Sequence, residues 1–572
     1  MKNKQLSALF EAIADLLEIS GEDSFRANSY RRASRTMRDL TKDIEELARI
    51  GGLGTLAGIG KSMASKIEEF LATGTMSLYE ELKKSVPEGL PRLLGIPGLG
   101  PKKIAMAWKQ LNVTSLDDLR RVIASAELAA LKGMGAKSVE SIVRGIDMLE
   151  TSRGRTPLGL AWPVADELAE AMRAVKGVKR VEVAGSLRRG CETIGDLDLV
   201  CEAAQGDVVV KAFTTLPQAK RVLASGDTKG SILVERRDGI EIQVDCRVVP
   251  AESFGAALQY FTGSKEHNVK LRERAGKMGF KLNEWGLFQG EKQVAGKDEA
   301  LIYKKLGMKW MPPAQREDRG EFAGNLVPLI TLEDIRGDLH CHTTASDGTC
   351  DAETMARAAC DRGYEYIAIT DHSKSSAIAK GLTVERMWRQ IEQVRALNER
   401  LDKISVLIGC ECDILVNGTL DYPDSLLAAC DFVVASVHSA MKQDRDRATK
   451  RVLDAMSNPN LCVLGHPTAR LLGRREPMDL DMEAIVAKAA EVGTALEINA
   501  SWQRLDLCDI HVRMAVDAGV NLCINTDAHS IAQFDQMKYG VVTAQRGWAK
   551  PADVLNTLPL PLLRKWVSKK RT

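Results

Sequence analysis

AGSLRRGCETIGDLDLV (residues 184–200) sets two carboxylates, Asp196 and Asp198, two apart in a segment of strand character, so both leave the strand from one face. Downstream, GIEIQVDCRVV carries Asp245 on a second strand able to pair beside the first. Three converging carboxylates repel one another unless cations lie between them, and hard oxygen ligands suit two Mg²⁺ or Mn²⁺ ions. A pair of such ions activates an attacking hydroxyl and neutralises a leaving pyrophosphate, the chemistry of nucleotidyl transfer. Acids alternating along a strand are ordinarily just its wet face. Here they alternate with Leu197 and Leu199, directly behind a Gly185-Ser186 turn and the Arg188-Arg189 pair, and Arg189 supplies a fork for triphosphate oxygens. The runs VKRVEVAGS, SILVERRD and GIEIQVDCRVV complete an α+β unit with an expected antiparallel sheet.

Upstream of this unit the first 150 or so residues read as helical, with one signature three times over: LAGIGKSMASKI (56–67), LLGIPGLGPKKIAMAW (93–108) and LAALKGMGAKSVESIV (128–143). Each is a helix, a Gly-hydrophobe-Gly turn and a second helix, the helix-hairpin-helix pattern. Glycine permits the turn, and backbone N–H groups opening the second helix are free for a DNA phosphate. One such turn is commonly only a helix cap, but three in register point to a nucleic-acid backbone, gripped without reading sequence. Arg26, Arg31, Arg32, Arg35 and Arg38, with no acid between Phe25 and Arg38, add a local basic surface. The overall charge of +2 adds nothing to this.

Downstream, KWMPPAQREDRGEFAGN (309–325) combines paired prolines, charge and glycine, as an interdomain linker does. After Gly337 strands and helices alternate, and nearly every strand ends in a metal-ligating residue. His340 and His342 share one face of DLHCH, and Asp347, His372, Glu411, His438, His466, Asp527 and His529 follow. A lone histidine at a strand end is usually a satisfied core residue. A series of them at the C-terminal ends of parallel strands converges on one rim, with too many ligands for a single ion. Two or three divalent ions fit, Zn²⁺, Mn²⁺ or Fe²⁺, bridged by Glu411. Asp371 is either an orienting partner or a surface acid, and Asn499 either contacts substrate or closes a turn. His267 and His511 fall outside the pattern and read as structural.

The chain has 572 residues, 45% of them apolar, which demands several cores. No run reaches the roughly 18 apolar residues of a membrane span. The opening MKNKQLSALFEAIADLLEIS is an acidic amphipathic helix rather than a signal peptide, so a cytoplasmic monomer with no membrane partner is expected. Twelve cysteines without a CxxC pair are expected to be reduced thiols.

Residues 184–200 closely resemble the nucleotidyltransferase motif of family X DNA polymerases. The resemblance continues through YFTGSKEHN (260–268) and LAGIGKSMASKIEEFLATG, covering nearly all of the first 316 residues. It implies that Asp196, Asp198 and Asp245 hold the catalytic metals, with Asp245 as general base towards a primer 3′-hydroxyl. Ser186, Arg189 and Gly195 would hold the triphosphate, and Tyr260, Phe261 and Gly263 would lie beside the incoming sugar. Asn268 would reach the minor-groove edge of the base and Arg272 would face the template. Lys265 stands where some members carry an acid. Lys66 aligns with the Schiff-base lysine of a deoxyribose-phosphate lyase, but Arg26 and Ser62 replace supporting lysines, so it is either that nucleophile or a phosphate-binding lysine.

Residues 336–572 resemble PHP (polymerase and histidinol phosphatase) domains. That resemblance implies one metal on His340, His342, Glu411 and Asp527, a second on Glu411, His438 and His466, and a third on Asp347, His372 and His529. The expected architecture is therefore multidomain α+β. A lyase-like helical domain (1–81) and a helix-hairpin-helix subdomain (82–153) precede a palm (154–251) and a nucleotide-selecting thumb (252–316). A linker (317–335) and a distorted (β/α)7 barrel of the PHP type (336–572) follow. The two halves in this order resemble bacterial family X polymerases of base-excision repair. They imply gap filling on gapped or primed DNA with dNTPs, and a 3′-5′ exonuclease with a candidate abasic-site endonuclease activity. The rival readings are a polymerase carrying a small-molecule phosphatase, and a DNA-binding scaffold with structural metals.

Overall fold

A computed structural model describes the chain except for residues 1, 23, 41–43, 57, 95, 97, 98, 137, 141, 144, 145, 147–154, 325 and 572. It divides into two compact units, residues 1–153 with 473–475, and residues 154–472 with 476–572.

In the first unit the helix Lys2–Ser20 buries Leu6, Phe10, Ile13 and Leu17, spaced by four, three and four residues along one face. It packs on Ser24–Asp39. The hydrophobe of each Gly-hydrophobe-Gly turn plugs this core: Ile59, Leu99 and Met134 are all buried. The helices Lys61–Thr73 and Pro101–Leu111 start from Gly60 and Gly100, neither of which can offer a side-chain cap. The N–H groups of Lys61 and Ser62 in the first helix, and of Lys102 in the second, where Pro101 has none and the Lys103 N–H already donates to Gly100 O at 2.9 Å, are thus left for an external acceptor. Gly95, Pro97 and Gly98 of the second signature, and Lys137 and Ser141 of the third, lie outside the described residues.

The palm sheet has the strand order Arg180–Val183, Leu197–Glu202, Glu241–Val249, Lys229–Glu235, Ala219–Ser225. It is mixed rather than antiparallel, because Leu197–Glu202 and Glu241–Val249 run parallel. The crossover helix Gly206–Thr214 between them sets that direction, as a parallel pair requires. Beyond the palm, the helices Phe254–Thr262 and Lys265–Lys277 lead into a three-stranded antiparallel sheet and the helix Glu299–Lys305.

The last part is a barrel of seven parallel strands in sequence order, Gly337–Cys341 to Leu522–Asn525. It is nearly closed: Cys341 bridges Ala528, and the His342 N–H donates to Ala528 O at 2.8 Å. Strand residues are buried on both faces, as parallel strands enclosed by helices must be.

Palm and barrel share packing. Leu505 and Tyr539 of the barrel are buried in the palm core with Leu158, Ala161 and Leu187. A Cβ on Gly159 would meet Trp502 at 2.3 Å, so that close approach needs glycine. The segment expected as a linker is likewise not a solvated tether. Glu321 is fully buried and accepts from His267 Nδ1 at 2.8 Å, while His267 Nε2 meets the Tyr303 hydroxyl at 2.9 Å. His267 is thus structural, as expected. Glu299 ties the thumb together: it pairs with Arg188 through both oxygens (2.9 and 2.8 Å) and with the fully buried Arg316 at 2.7 Å. Burial would raise its pKa, but Arg316 and Arg188 bring it down to about 2. Glu299→Ala would strand the Arg316 guanidinium, and a loss of about 3–5 kcal/mol is expected. Urea unfolding followed by tryptophan emission would measure it, with Trp310 beside Glu299 as a reporter.

Candidate active sites

The first site forms where the two parallel palm strands put Asp198 directly opposite Asp245. Asp196 enters from the residue before its strand, and Gly185 comes so close that a Cβ there would lie 2.3 Å from Asp198 Oδ2. Gly185 also has φ +64°, so glycine is required twice over. Burial, reinforced by the charges of Asp196 and Asp245, raises the Asp198 pKa to about 7. Asp245 moves the other way. Burial would raise it, but Lys229 at 2.6 Å, Ser231 at 2.6 Å and Gln243 at 2.9 Å hold it below the ordinary range. A clustered, partly desolvated acid set with one carboxyl held near neutrality fits divalent cations bound through oxygen.

A cleft of about 570 Å³ opens over Asp196 and Asp198, while Asp245 is not part of its lining. It brings together Asp196, Asp198, Ser186, Arg189, Gly195, Tyr260, Phe261, Gly263, Asn268 and Arg272, with Lys265 beside them. Lys265, Asn268 and Arg272 share one face of the helix Lys265–Lys277. Two of these side chains already have partners. Arg189 donates to Glu317 Oε1 (2.9 Å) and Thr262 O (2.5 Å), and Asn268 is held by Gln259 and the Tyr260 carbonyl, both at 2.7 Å. Arg155, which sequence reading passed over, also lines the cleft, braced by Thr193 at 2.9 and 2.6 Å. Its one sequence signal was the Arg153-Gly154-Arg155 run before the palm's first helix.

In the N-terminal unit Lys66 is half-buried on Lys61–Thr73, and its Nζ donates to Ser62 Oγ at 3.3 Å. The arginine surface expected there is smaller in part. Arg31 is tied to Glu18 (3.0 Å) and Asp15 (2.9 Å), and Arg26 to Glu22, whereas Arg32 is exposed against the Gly58 turn.

The second site is the barrel rim, and all nine expected ligands meet there. Glu411 is fully buried at the centre. Its Oε1 faces His466 (2.9 Å) and His438 (3.3 Å), and its Oε2 faces His372 (2.9 Å), His340 (3.5 Å) and His342 (3.6 Å). Three groups have donor atoms within 4.8 Å of one another: His342, Asp347, His372 and His529; His340, His342 and Asp527; and His372, Glu411 and His438. The grouping shares His342 and His372 between sets more than the sequence suggested. Buried His340 Nε2, both nitrogens of His342 and His466 Nδ1 make no hydrogen bond, and His372 Nδ1 and Glu411 Oε2, though 2.9 Å apart, are not oriented for one. Buried polar atoms are rarely left so, and cations between these groups would satisfy them. His466 (φ 25°) and Asp527 (φ 54°) also hold left-handed backbone, the kind of strain that collects at functional positions.

Outside the ring, Glu497 Oε1 pairs with His340 Nδ1 at 2.7 Å and its Oε2 accepts the His466 N–H at 2.6 Å. Asp413 pairs with His438 Nδ1 at 2.5 Å. These are the orienting carboxylates, and sequence reading missed both: Glu497 sits alone inside an apolar strand, whereas Asp413 ends its strand two residues after Glu411, a spacing that could have marked it. Asp371 instead accepts from Thr343 (2.8 and 2.6 Å) and Ser346 (2.5 Å), bracing the loop from His342 to Asp347. Asn499 donates to Asp527 Oδ2 at 3.2 Å and accepts the Ser501 N–H, so it positions a ligand and closes a turn. His511 stays outside the cluster, on the helix Asp509–Asp517. Arg504 is a further omission: it lines the rim cleft, 3.7 Å from Asp527, with a buried Nη1 that has no partner.

A palm-and-thumb nucleotidyltransferase unit packed on a PHP-like barrel defines a two-site phosphoryl-transfer enzyme of metal-dependent type. Family profiles agree: "Helix-hairpin-helix domain" matches 1–76, "SAM-like Helix-hairpin-helix tandem" 90–147, "DNA polymerase beta thumb" 257–317 and "PHP domain" 338–501. The chain is 38% identical over 567 residues to the DNA polymerase/3′-5′ exonuclease PolX of Bacillus subtilis (strain 168), covering 98% of each. It is 27% identical over 341 residues to DNA polymerase lambda of Rattus norvegicus, covering 55% of this chain and 56% of that one. A probable phosphatase of Thermoanaerobacter sp. (strain X514) is 29% identical over 203 residues, 34% of this chain and 78% of its own. The chain therefore belongs to the family X DNA polymerases that carry a C-terminal PHP domain. Among the described residues no helix is long and apolar enough to cross a membrane.

The charges of the rim predict how it loads. Burial would lower the pKa of His438 and His529, but Glu411 with Asp413 raises the first to about 10, and Asp347 with Asp527 raises the second to about 9. Both are protonated at neutral pH without metal and must shed a proton to coordinate. Despite its burial His340 is held well above its ordinary value too, chiefly by Glu497 and Glu411, so loading is expected to release protons from all three histidines, with affinity rising as pH increases. Titration calorimetry in buffers of different ionisation enthalpy would measure this, and proton-neutral binding would contradict it.

Proposed function

We propose that this enzyme extends a primer by template-directed, gap-filling synthesis in base-excision repair, and trims 3′ ends with its PHP barrel. The reading rests above all on the Asp198–Asp245 register beneath a cleft with arginines on its walls. Asp196, Asp198 and Asp245 would hold Mg²⁺ or Mn²⁺, which lowers the cost of ionising the attacking hydroxyl and steadies the departing pyrophosphate. Asp245, kept ionised by Lys229, is the base that accepts the primer hydroxyl proton. Ser186, Gly195 and Arg189 bind the triphosphate, with Arg155 added to that set. For Arg189 this means releasing Glu317 as the nucleotide enters. Tyr260, Phe261 and Gly263 flank the sugar, Asn268 reads the minor-groove edge and Arg272 faces the template. DNA enters on phosphates held by the uncapped helices after Gly60 and Gly100. The working segments are 1–81, 82–153, 154–251, 252–316, 317–335 and 336–572, in a cytoplasmic monomer.

In the barrel His340, His342, Asp347, His372, Glu411, His438, His466, Asp527 and His529 would hold two or three ions, Zn²⁺, Mn²⁺ or Fe²⁺. When bound they supply an activated water and charge neutralisation for phosphodiester cleavage. Glu497 and Asp413 orient His340 and His438, and Arg504 meets a non-bridging phosphate oxygen with its free Nη1. Cleavage at abasic sites is a candidate extension of this chemistry. The likeness to a probable phosphatase favours a small ester as the second reading for the barrel. Comparing hydrolysis of primed DNA with that of histidinol phosphate separates the two.

Asp198→Ala is expected to lower primer extension about a thousandfold while leaving 3′ trimming intact, and His342→Ala to do the reverse. Loss of both activities in either folded variant would contradict two independent sites. Lys66→Ala is expected to abolish borohydride trapping of an abasic-site DNA adduct if Lys66 is the lyase nucleophile, and to leave trapping unchanged if it only binds phosphate.

A further inference from the structure

Between His372 and Leu382 the chain leaves the barrel rim as a loop, SKSSAIAKG (373–381), closed at its neck. Leu382 N–H donates to His372 O at 2.8 Å, and Gly381 N–H to Ser376 O at 3.1 Å. A Cβ on Gly381 would lie 1.8 Å from Ser373 O, so the neck closes only around glycine. The loop is also tethered to the metal ligands. Ser376 Oγ donates to Asp413 Oδ2 at 3.0 Å, and the same Asp413 carboxylate holds His438. Ser375 Oγ donates to Asp413 as well (2.8 Å), and the Ser375 N–H to Asp421 (2.8 Å). Arg386 braces the far side by donating to the Lys380 carbonyl at 3.0 Å. This is a compact, pinned Ω-type loop rather than a slack connection.

At its tip, on the short turn Ala377–Ala379, Ile378 is 103% exposed, against 73% for Phe25, the next most exposed large apolar side chain among the described residues. Single exposed apolar residues are common and need no explanation by themselves. This one, however, lines the same cleft of about 440 Å³ as Glu411, His438, Asp527 and Arg504. Only Ala377 separates it from Ser376, so its Cα lies within about 7.6 Å of the Ser376 Cα. That is within one nucleotide's reach of the His438 ring. Exposed Lys374 and Lys380 flank the apolar tip. An apolar wedge between two cations, at the mouth of a phosphodiester-cleaving site, matches a nucleic-acid strand: lysines on phosphates, isoleucine against a base.

We propose that the 373–381 loop is a wedge that unstacks the 3′-terminal nucleotide of a DNA strand and delivers its phosphodiester to the rim. Ile378 packs on the terminal base and Lys374 and Lys380 hold the flanking phosphates. The contact is sequence-tolerant, because every base presents an apolar face. It also separates a DNA strand from a small phosphate ester, which has no base for Ile378 to touch. The proposal rests on the exonuclease reading of the rim.

The test uses full-length protein with Ile378→Ser and three substrates: a duplex with a paired 3′ end, the same strand alone, and bis(p-nitrophenyl) phosphate. Removal of the paired terminal nucleotide is expected to slow about tenfold or more in I378S, with a smaller loss on the single strand and none on the small ester. In EDTA, 3′-terminal 2-aminopurine in the duplex is expected to brighten on binding wild type and not on binding I378S, a readout that needs no hydrolysis. Lys374→Ala with Lys380→Ala should flatten the salt dependence of oligonucleotide KM by about 1.4 in log–log slope. Equal trimming of the paired end by wild type and I378S overturns the wedge and leaves the exonuclease standing. An equal loss on all three substrates also overturns it, by showing that Ile378 acts through the metal site. Wild type that hydrolyses the small ester but no DNA overturns the exonuclease reading and the wedge with it.

Discussion

Glu411 is a carboxylate with no exposure to water, set among five imidazoles. Burial alone would protonate it, yet His438, His372 and His340 hold its pKa well below the usual range. The remainder of the barrel is arranged around that compensation. Parallel strands, closed almost into a cylinder, aim their C-terminal ends at one point, and Glu497 and Asp413 fix the rings of His340 and His438 from behind. The same constraint governs the palm, where Asp196, Asp198 and Asp245 can lie together only with cations among them or with one carboxyl protonated. Asp198, with its pKa near 7, shows the cost of the second solution.

The two centres are not passengers on a common tether. Leu505 and Tyr539 are buried in the palm core, and Arg546 of the barrel donates to Arg189 O (3.0 Å) and to Glu317 (2.7 Å), the residue that also holds the Arg189 side chain. A side chain on the wall of the nucleotide cleft thus shares a partner with the barrel. Glu317 lies in a segment whose prolines and charges suggested a linker. Its order comes from partly buried ion pairs, which composition cannot reveal.

Much of this was legible because the chemistry leaves short-range marks. Two acids two apart on a strand, Gly-hydrophobe-Gly turns, and histidines ending apolar runs are all local patterns, and each rim residue so identified lies in its cluster. What failed was non-local. The sheet was read as antiparallel because single strands carry no record of direction, and Asp371, open between an orienting partner and a surface acid, is neither: it is buried and braces a loop, while Glu497 and Asp413 sit behind the rings. Arg155 and Arg504 stand in unremarkable contexts and are visible only once a cleft surrounds them.

The reactive inventory is written in the residues themselves: the three palm acids, the nine rim ligands and the glycines that let backbone approach them. These follow from side-chain chemistry and from the two-residue period of a strand. Folding alone settles which groups share a neighbour: Glu411 between two sets of imidazoles, Asp245 against Lys229, Arg189 against Glu317, and Ile378 in water at the rim. Those pairings join residues far apart in the chain, and only the packing of strands and loops brings them within a few ångströms.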